Sequence, residues 1–73
     1  MSGQSARHKH VGQEVKTRRE AIGLSREGLA YKSGVALKTI ERVEREETFP
    51  RRSTTTVILA ALDRAEEDEK AAA

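Results

Sequence analysis

Apolar residues recur along this chain at helical spacing in four stretches, each set off by turn-forming or charged residues. Val11, Val15 and Ile22 share roughly one face, which predicts a first helix over 11–22, ended by Gly23. Leu24 then packs inward. Ser25 suits an N-cap, because its hydroxyl accepts from the orphan N–H groups of a first turn. The helix it opens has Leu29 and Ala30 as its apolar pair. Gly34 breaks that helix, since glycine takes a positive φ cheaply. Val35 is apolar directly after the break. A third helix, about 37–45, buries Ile40 and Val43 and leaves Leu37, Lys38, Thr39, Glu41, Arg42 and Arg45 off that side. Residues 46–50 form a connector, in which Pro50 steers Phe49 away from helical backbone. Ser53 or Thr54 is placed to cap a fourth helix. Its Thr55, Ile58, Leu59 and Leu62 fall at i, i+3, i+4 and i+7, one buried stripe.

After Leu62 the apolar period stops. Residues 63–70 are nearly all charged and three alanines follow. Alanine and glutamate favour helix locally, so the fourth helix is expected to run on into solvent, with no packed fifth helix. Residues 1–10 carry no apolar period and read as a flexible arm, with Arg7, His8, Lys9 and His10 as a basic cluster. The chain thus divides into an arm (1–10), a packed domain (11–62) and a charged tail (63–73). The predicted fold class is all-α, a compact bundle of four helices.

Composition narrows the chemistry. Seventy-three residues suffice for one domain with a small core. There is no cysteine, hence no disulfide or thiolate site, and aliphatic packing must make the core. One tyrosine, one phenylalanine and no tryptophan argue against a sheet with aromatic ladders. No run approaches the ~18 apolar residues of a membrane helix, and none near the start resembles a secretory signal. A soluble cytoplasmic protein is the simplest expectation. An enzyme is not expected: the two histidines lie in the arm, no glycine-rich phosphate loop appears, and the carboxylates sit on charged surfaces. No cofactor is implied, and His8 and His10 lack a third ligand for a metal. The net charge of +2 is unevenly spread. Residues 1–62 hold 12 lysines and arginines against 7 acids, a net +5, and residues 63–73 hold 2 against 5, a net −3. A basic body of this kind suits a polyanionic partner.

The residues also resemble a known family, the phage-repressor and Cro-type (lambda-repressor-like) helix-turn-helix domains of bacteria and their viruses. Val11, Gly12, Val15 and Arg19 match its first helix, and Gly23, Leu24 and Ser25 the approach to the second. Leu29, Ala30, Gly34 and Val35 match the second helix and the turn. Thr39, Ile40, Val43, Glu44 and Arg45 match the third helix, and Pro50 precedes the last. The match runs over 11–62 without a gap. The resemblance implies a structural ion pair between Arg19 and Glu44, fixing the third helix on the first. It also implies that the third helix enters a DNA major groove. This sequence departs from the pattern at several positions. Arg18 stands where leucine is usual, Arg26 where a phosphate-contacting glutamine is common, and Ala36 where serine or threonine caps the recognition helix. Glu46 replaces a glycine after that helix, Glu47 adds a second acid there, and Gly28 sits inside the second helix.

On that resemblance Leu37, Lys38 and Arg42 are the expected base contacts. Arg42 and Lys38 can reach guanine O6 and N7, and Leu37 can pack on a thymine methyl. Arg26, Thr39, Arg45, Arg51 and Arg52 are the expected phosphate contacts, which set register and affinity. The implied function is a sequence-specific transcriptional regulator binding double-stranded DNA. A weak homodimer formed on DNA would use the outer face of the fourth helix (Val57, Ala60, Ala61) and the acidic tail. The alternative is a protein-interaction module on the same fold, such as an antitoxin, an anti-repressor or an adaptor. Glu46, Glu47, Leu37 and the uncapped recognition helix leave room for it.

Overall fold

The computed structural model describes residues 11–72. The basic arm lies outside the described residues. Within them the chain is all-helical: α1 Val11–Ala21, α2 Arg26–Ser33, α3 Leu37–Glu44 and α4 Arg52–Ala72, with no strand among the described residues.

Local chemistry sets the helix ends. Gly23 takes φ 68°. Its N–H bonds to the Glu20 carbonyl at 3.1 Å and that of Leu24 to the Arg19 carbonyl at 3.0 Å. This paired closure satisfies the last carbonyls of α1. Because it tightens the chain after Ala21, Ile22 leaves the helix and the central core. It is half-buried and lines an open surface groove together with Asp63, Glu66 and Glu69 of α4. The expected first helix is therefore one residue too long, and Ile22 is not one of its core residues. Ser25 caps α2 by accepting from the Gly28 N–H at 2.9 Å, and Gly34 ends it at φ 73° with its N–H on the Ala30 carbonyl. Ala36 holds the N-cap position of α3 with no side-chain cap. At its far end α3 closes as α1 does, the Glu46 N–H on Val43 and the Glu47 N–H on Arg42, both at 3.0 Å. Here the left-handed residue is Glu46, at φ 60°, and not a glycine.

Helix α4 begins at Arg52, earlier than the expected caps at Ser53 or Thr54. Pro50 is out of the helix, and the Thr55 N–H already bonds to the Arg51 carbonyl at 3.0 Å, so both candidate caps fall inside the first turn. The helix is continuous to Ala72. Ala65 is buried, so the fold extends beyond the boundary drawn at residue 62.

The core is wholly aliphatic: Val15 from α1, Leu29 from α2, Ile40 and Val43 from α3, and Ile58, Ala61 and Leu62 from α4. Val11, Leu24, Ala30, Val35 and Leu59 pack around it. The expected stripe on α4 is rotated slightly, running through Ile58, Ala61, Leu62 and Ala65. Ala61 is thus a core residue and not part of an outer face; Val57 and Ala60 remain exposed. Helices α1 and α2 each pack against both α3 and α4, so α3 is held across two supporting helices with its third side open. Gly12 makes the α1–α3 crossing close, because a Cβ there would collide with the Val43 carbonyl oxygen. No helix among the described residues is long and apolar enough to cross a membrane.

Candidate nucleic-acid interface

The open side of α3 is built by helical periodicity. Burying Ile40 and Val43 turns Lys38, Arg42 and Arg45 outward at i, i+4 and i+7. All three are exposed, and together they form a ridge of three cations along one eight-residue helix and its C-cap. Leu37, Thr39 and Glu41 flank the ridge and are half-buried. Of the expected base contacts, Lys38 and Arg42 therefore share the ridge, while Leu37 lies to its side. The methyl of Ala36 cannot accept a hydrogen bond, so no N-cap side chain bonds the N–H groups of the first turn of α3.

Arg19 and Glu44 hold this helix in place. Arg19 is 7% exposed and Glu44 9%. The Arg19 Nε donates to Glu44 Oε2 at 2.7 Å and its Nη2 to Oε1 at 3.1 Å, a two-point pair between α1 and the last residue of α3. Arg19 Nη1 donates to the Leu24 carbonyl at 2.8 Å. These bonds to Glu44 raise the Arg19 pKa against the opposing effect of burial, so the cation stays charged in the interior. No buried side-chain nitrogen or oxygen lacks a partner among the described residues.

Arg26, expected at a phosphate, is partly committed within the protein. Its Nε donates to Glu44 Oε1 at 3.2 Å while its side chain stays 42% exposed. Arg45 is exposed and lies 3.8 Å from Glu47, which offsets part of its charge. Arg51 and Arg52 are exposed at the start of α4, and Thr39 is half-buried on α3. No protein-family model, curated protein or solved structure matches this chain.

A second charged network lies on the far side of α1. Arg18 donates from Nε and Nη2 to the two carboxylate oxygens of Glu66, at 2.8 and 2.7 Å, and from Nη2 to Asp63 at 2.6 Å. Glu14, one turn earlier on α1, adds a contact at 3.5 Å. The Arg18 pKa is raised chiefly by the Glu66 hydrogen bond, and the same bond lowers that of Glu66. The charge of Arg18 is thus matched by acids on α4. Sequence reasoning missed this network and the Arg26–Glu44 bond. Ala65, a small residue seven positions after Ile58 within the charged run, was the signal that α4 stays packed past Leu62. Nothing in the spacing of the acids distinguished Glu66 from Glu67 as the partner of Arg18. No cluster of histidine, aspartate and glutamate suited to a metal occurs among the described residues.

Proposed function

We propose that this protein is a sequence-specific DNA-binding transcriptional regulator of the repressor/Cro type, with a lambda-repressor-like helix-turn-helix fold and α3 as its recognition helix. The observation that carries the reading is the ridge of Lys38, Arg42 and Arg45 opposite the buried Ile40 and Val43. A B-DNA major groove, about 12 Å wide, admits one helix, and a bidentate arginine or lysine contact to guanine is the commonest specific one. Lys38 and Arg42 read guanine and Leu37 packs on a thymine methyl at the edge. Arg26, Thr39, Arg45, Arg51 and Arg52 take phosphates. The protein acts in the cytoplasm. Because one short helix reads few base pairs, it binds as a weak homodimer formed on DNA. Of the α4 outer face, Val57 and Ala60 are available for that contact.

The test is selection of sites from random DNA, followed by salt titration of the best site. The regulator reading expects a palindromic site containing G and T. Arg42→Ala should relax base preference, whereas Arg51→Ala should weaken all DNA alike and lower the salt slope by about 1. Absence of any enriched site, with affinity no tighter than ~10⁻⁵ M at physiological salt, overturns it.

A protein-interaction module is the second reading, favoured by one observation. Phe49 is 79% exposed on the connector, next to Glu46 and Glu47, acids that would oppose a phosphate backbone. Under that reading capture of a protein partner would be blocked by Phe49→Ser, with no dependence on Arg42.

A further inference from the structure

Glu44 accepts hydrogen bonds from two guanidinium groups at once. Arg19 uses both of its carboxylate oxygens, and Arg26 Nε shares Oε1. One buried carboxylate therefore faces two cations; Arg19, which also lies 3.8 Å from Glu20, is enclosed, and Arg26 is the more exposed of the two. Arginine has five N–H donors in a planar fork. Only the Nε–H of Arg26 is spent on Glu44, and neither Nη has a partner among the described residues. The Nε bond to a buried acceptor restrains the fork at one edge and leaves both Nη groups free to donate elsewhere, on a side chain that is 42% exposed. Arg45, exposed, follows Glu44 directly in the chain.

We infer that Glu44 is a positioning residue for Arg26: it holds the guanidinium by Nε so that the two Nη groups present a pre-oriented fork to one DNA phosphate. This rests on the DNA-binding reading above and deepens it. Glu44 is also the last residue of α3 and is locked to α1 through Arg19. The phosphate clamp on α2 and the base-reading helix are thereby tied to the same carboxylate, and a phosphate taken by Arg26 sets the position of α3 in the groove. A lysine at position 26 would keep the charge but could not serve Glu44 and a phosphate with one fork, since its ammonium is a compact point charge.

The experiment uses the full chain and its best selected DNA site, with neutral methylphosphonate placed at one phosphate at a time. Wild type should lose about tenfold in affinity at one phosphate of each half-site, the scale of a charge-assisted hydrogen bond. Arg26→Gln should bind unmodified DNA more weakly, lose sensitivity at that phosphate alone, and lower the salt slope by about 1. Arg26→Lys should keep the wild-type salt slope but replace the sharp loss at that one phosphate with a weaker sensitivity spread over it and its neighbours, because a point charge selects no single phosphate. Both variants should melt near wild type, because Arg19 still satisfies Glu44. In ¹⁵N spectra the Arg26 Nε–H should be protected from exchange in the free protein and stay so on DNA. If Arg26→Lys matches wild type at every phosphate, or the Nε–H signal is lost when DNA binds, the fork is not held by Glu44 and the inference falls while DNA binding stands. If wild type selects no site, the regulator reading fails and the inference with it.

Discussion

Gly12 on α1 lies against the main-chain carbonyl of Val43 on α3, with no room for a Cβ between them. The obstacle is backbone, so it cannot rotate away. Gly12→Ala should separate α1 from α3 and cost at least about 2 kcal/mol, in the range of overpacked cores. Gly28→Ala is the control. A Cβ there meets the Leu24 Cδ1 at 2.8 Å, the far end of a side chain that can shift, and the Ser25 Oγ at 3.2 Å, which has to give by a few tenths of an ångström while keeping its bond to the N–H of residue 28. The gain in helix propensity, about 1 kcal/mol, then offsets the crowding. Urea denaturation should find Gly12→Ala strongly destabilised and Gly28→Ala near wild type.

Removing Arg19 takes from the buried Glu44 two of its three hydrogen bonds and leaves it the single bond from Arg26. Arg19→Met should cost about 3–5 kcal/mol, a large share of the ~5–15 kcal/mol that holds a domain together. Thermal melting would show it as a large fall in Tm. A loss under 1 kcal/mol would mean that Arg26 alone can satisfy Glu44.

Glu46 occupies the left-handed position that closes α3, at φ 60°. A side chain in that conformation costs roughly 1 kcal/mol relative to glycine. Glu46→Gly should therefore stabilise the protein by about that amount, and Glu46→Val should destabilise it because a β-branched residue fits the region worst. Equal denaturation midpoints for the two variants would contradict the assignment. On the regulator reading Glu46→Gly should also tighten DNA binding, since it removes a negative charge near α3.

Arg18 and Glu66 tie the distal part of α4 to α1. The lowered Glu66 pKa means that the pair contributes above the unfolded glutamate value, near about 4.3, and that the contribution is lost as pH falls through the lowered folded value. Arg18 stays protonated throughout, so only the acid limb is accessible. Hydrogen exchange should show the amides of residues 66–72 losing protection on acidification, and in about 1 M salt, where the Debye length is ~3 Å. Arg18→Ala should reproduce that loss at neutral pH while the amides of Leu29 and Ile40 stay protected. Unchanged exchange at the end of α4 would show that helix propensity alone holds it.

Much of this architecture follows from local rules that the chain states residue by residue. Ser25 caps a helix because it can bond a free N–H three residues on, and Gly23 and Gly34 end helices because they accept a positive φ. The apolar spacing placed Val15, Leu29, Ile40, Val43, Ile58 and Leu62 inside, with Ile22 wrongly among them, and left Leu37, Lys38, Thr39, Glu41, Arg42 and Arg45 together off the buried side; the folded helix is what separates the exposed Lys38, Arg42 and Arg45 from the half-buried other three. The Arg19–Glu44 pair was legible only through the family resemblance, because nothing in a one-dimensional pattern links residues 25 positions apart. What the tertiary structure alone decided are the long-range charge assignments: Arg18 to Glu66 and Asp63, and Arg26 to Glu44. The burial of Ala61 and Ala65 stands between the two: both share the helical face of Ile58 in the sequence, and the packing of α1 and α2 against α4 decides that this face is covered along its length. Charged side chains follow no period of their own. Their partners are whichever opposite charges the packing of the helices brings within reach, and that is known only once the aliphatic core has assembled.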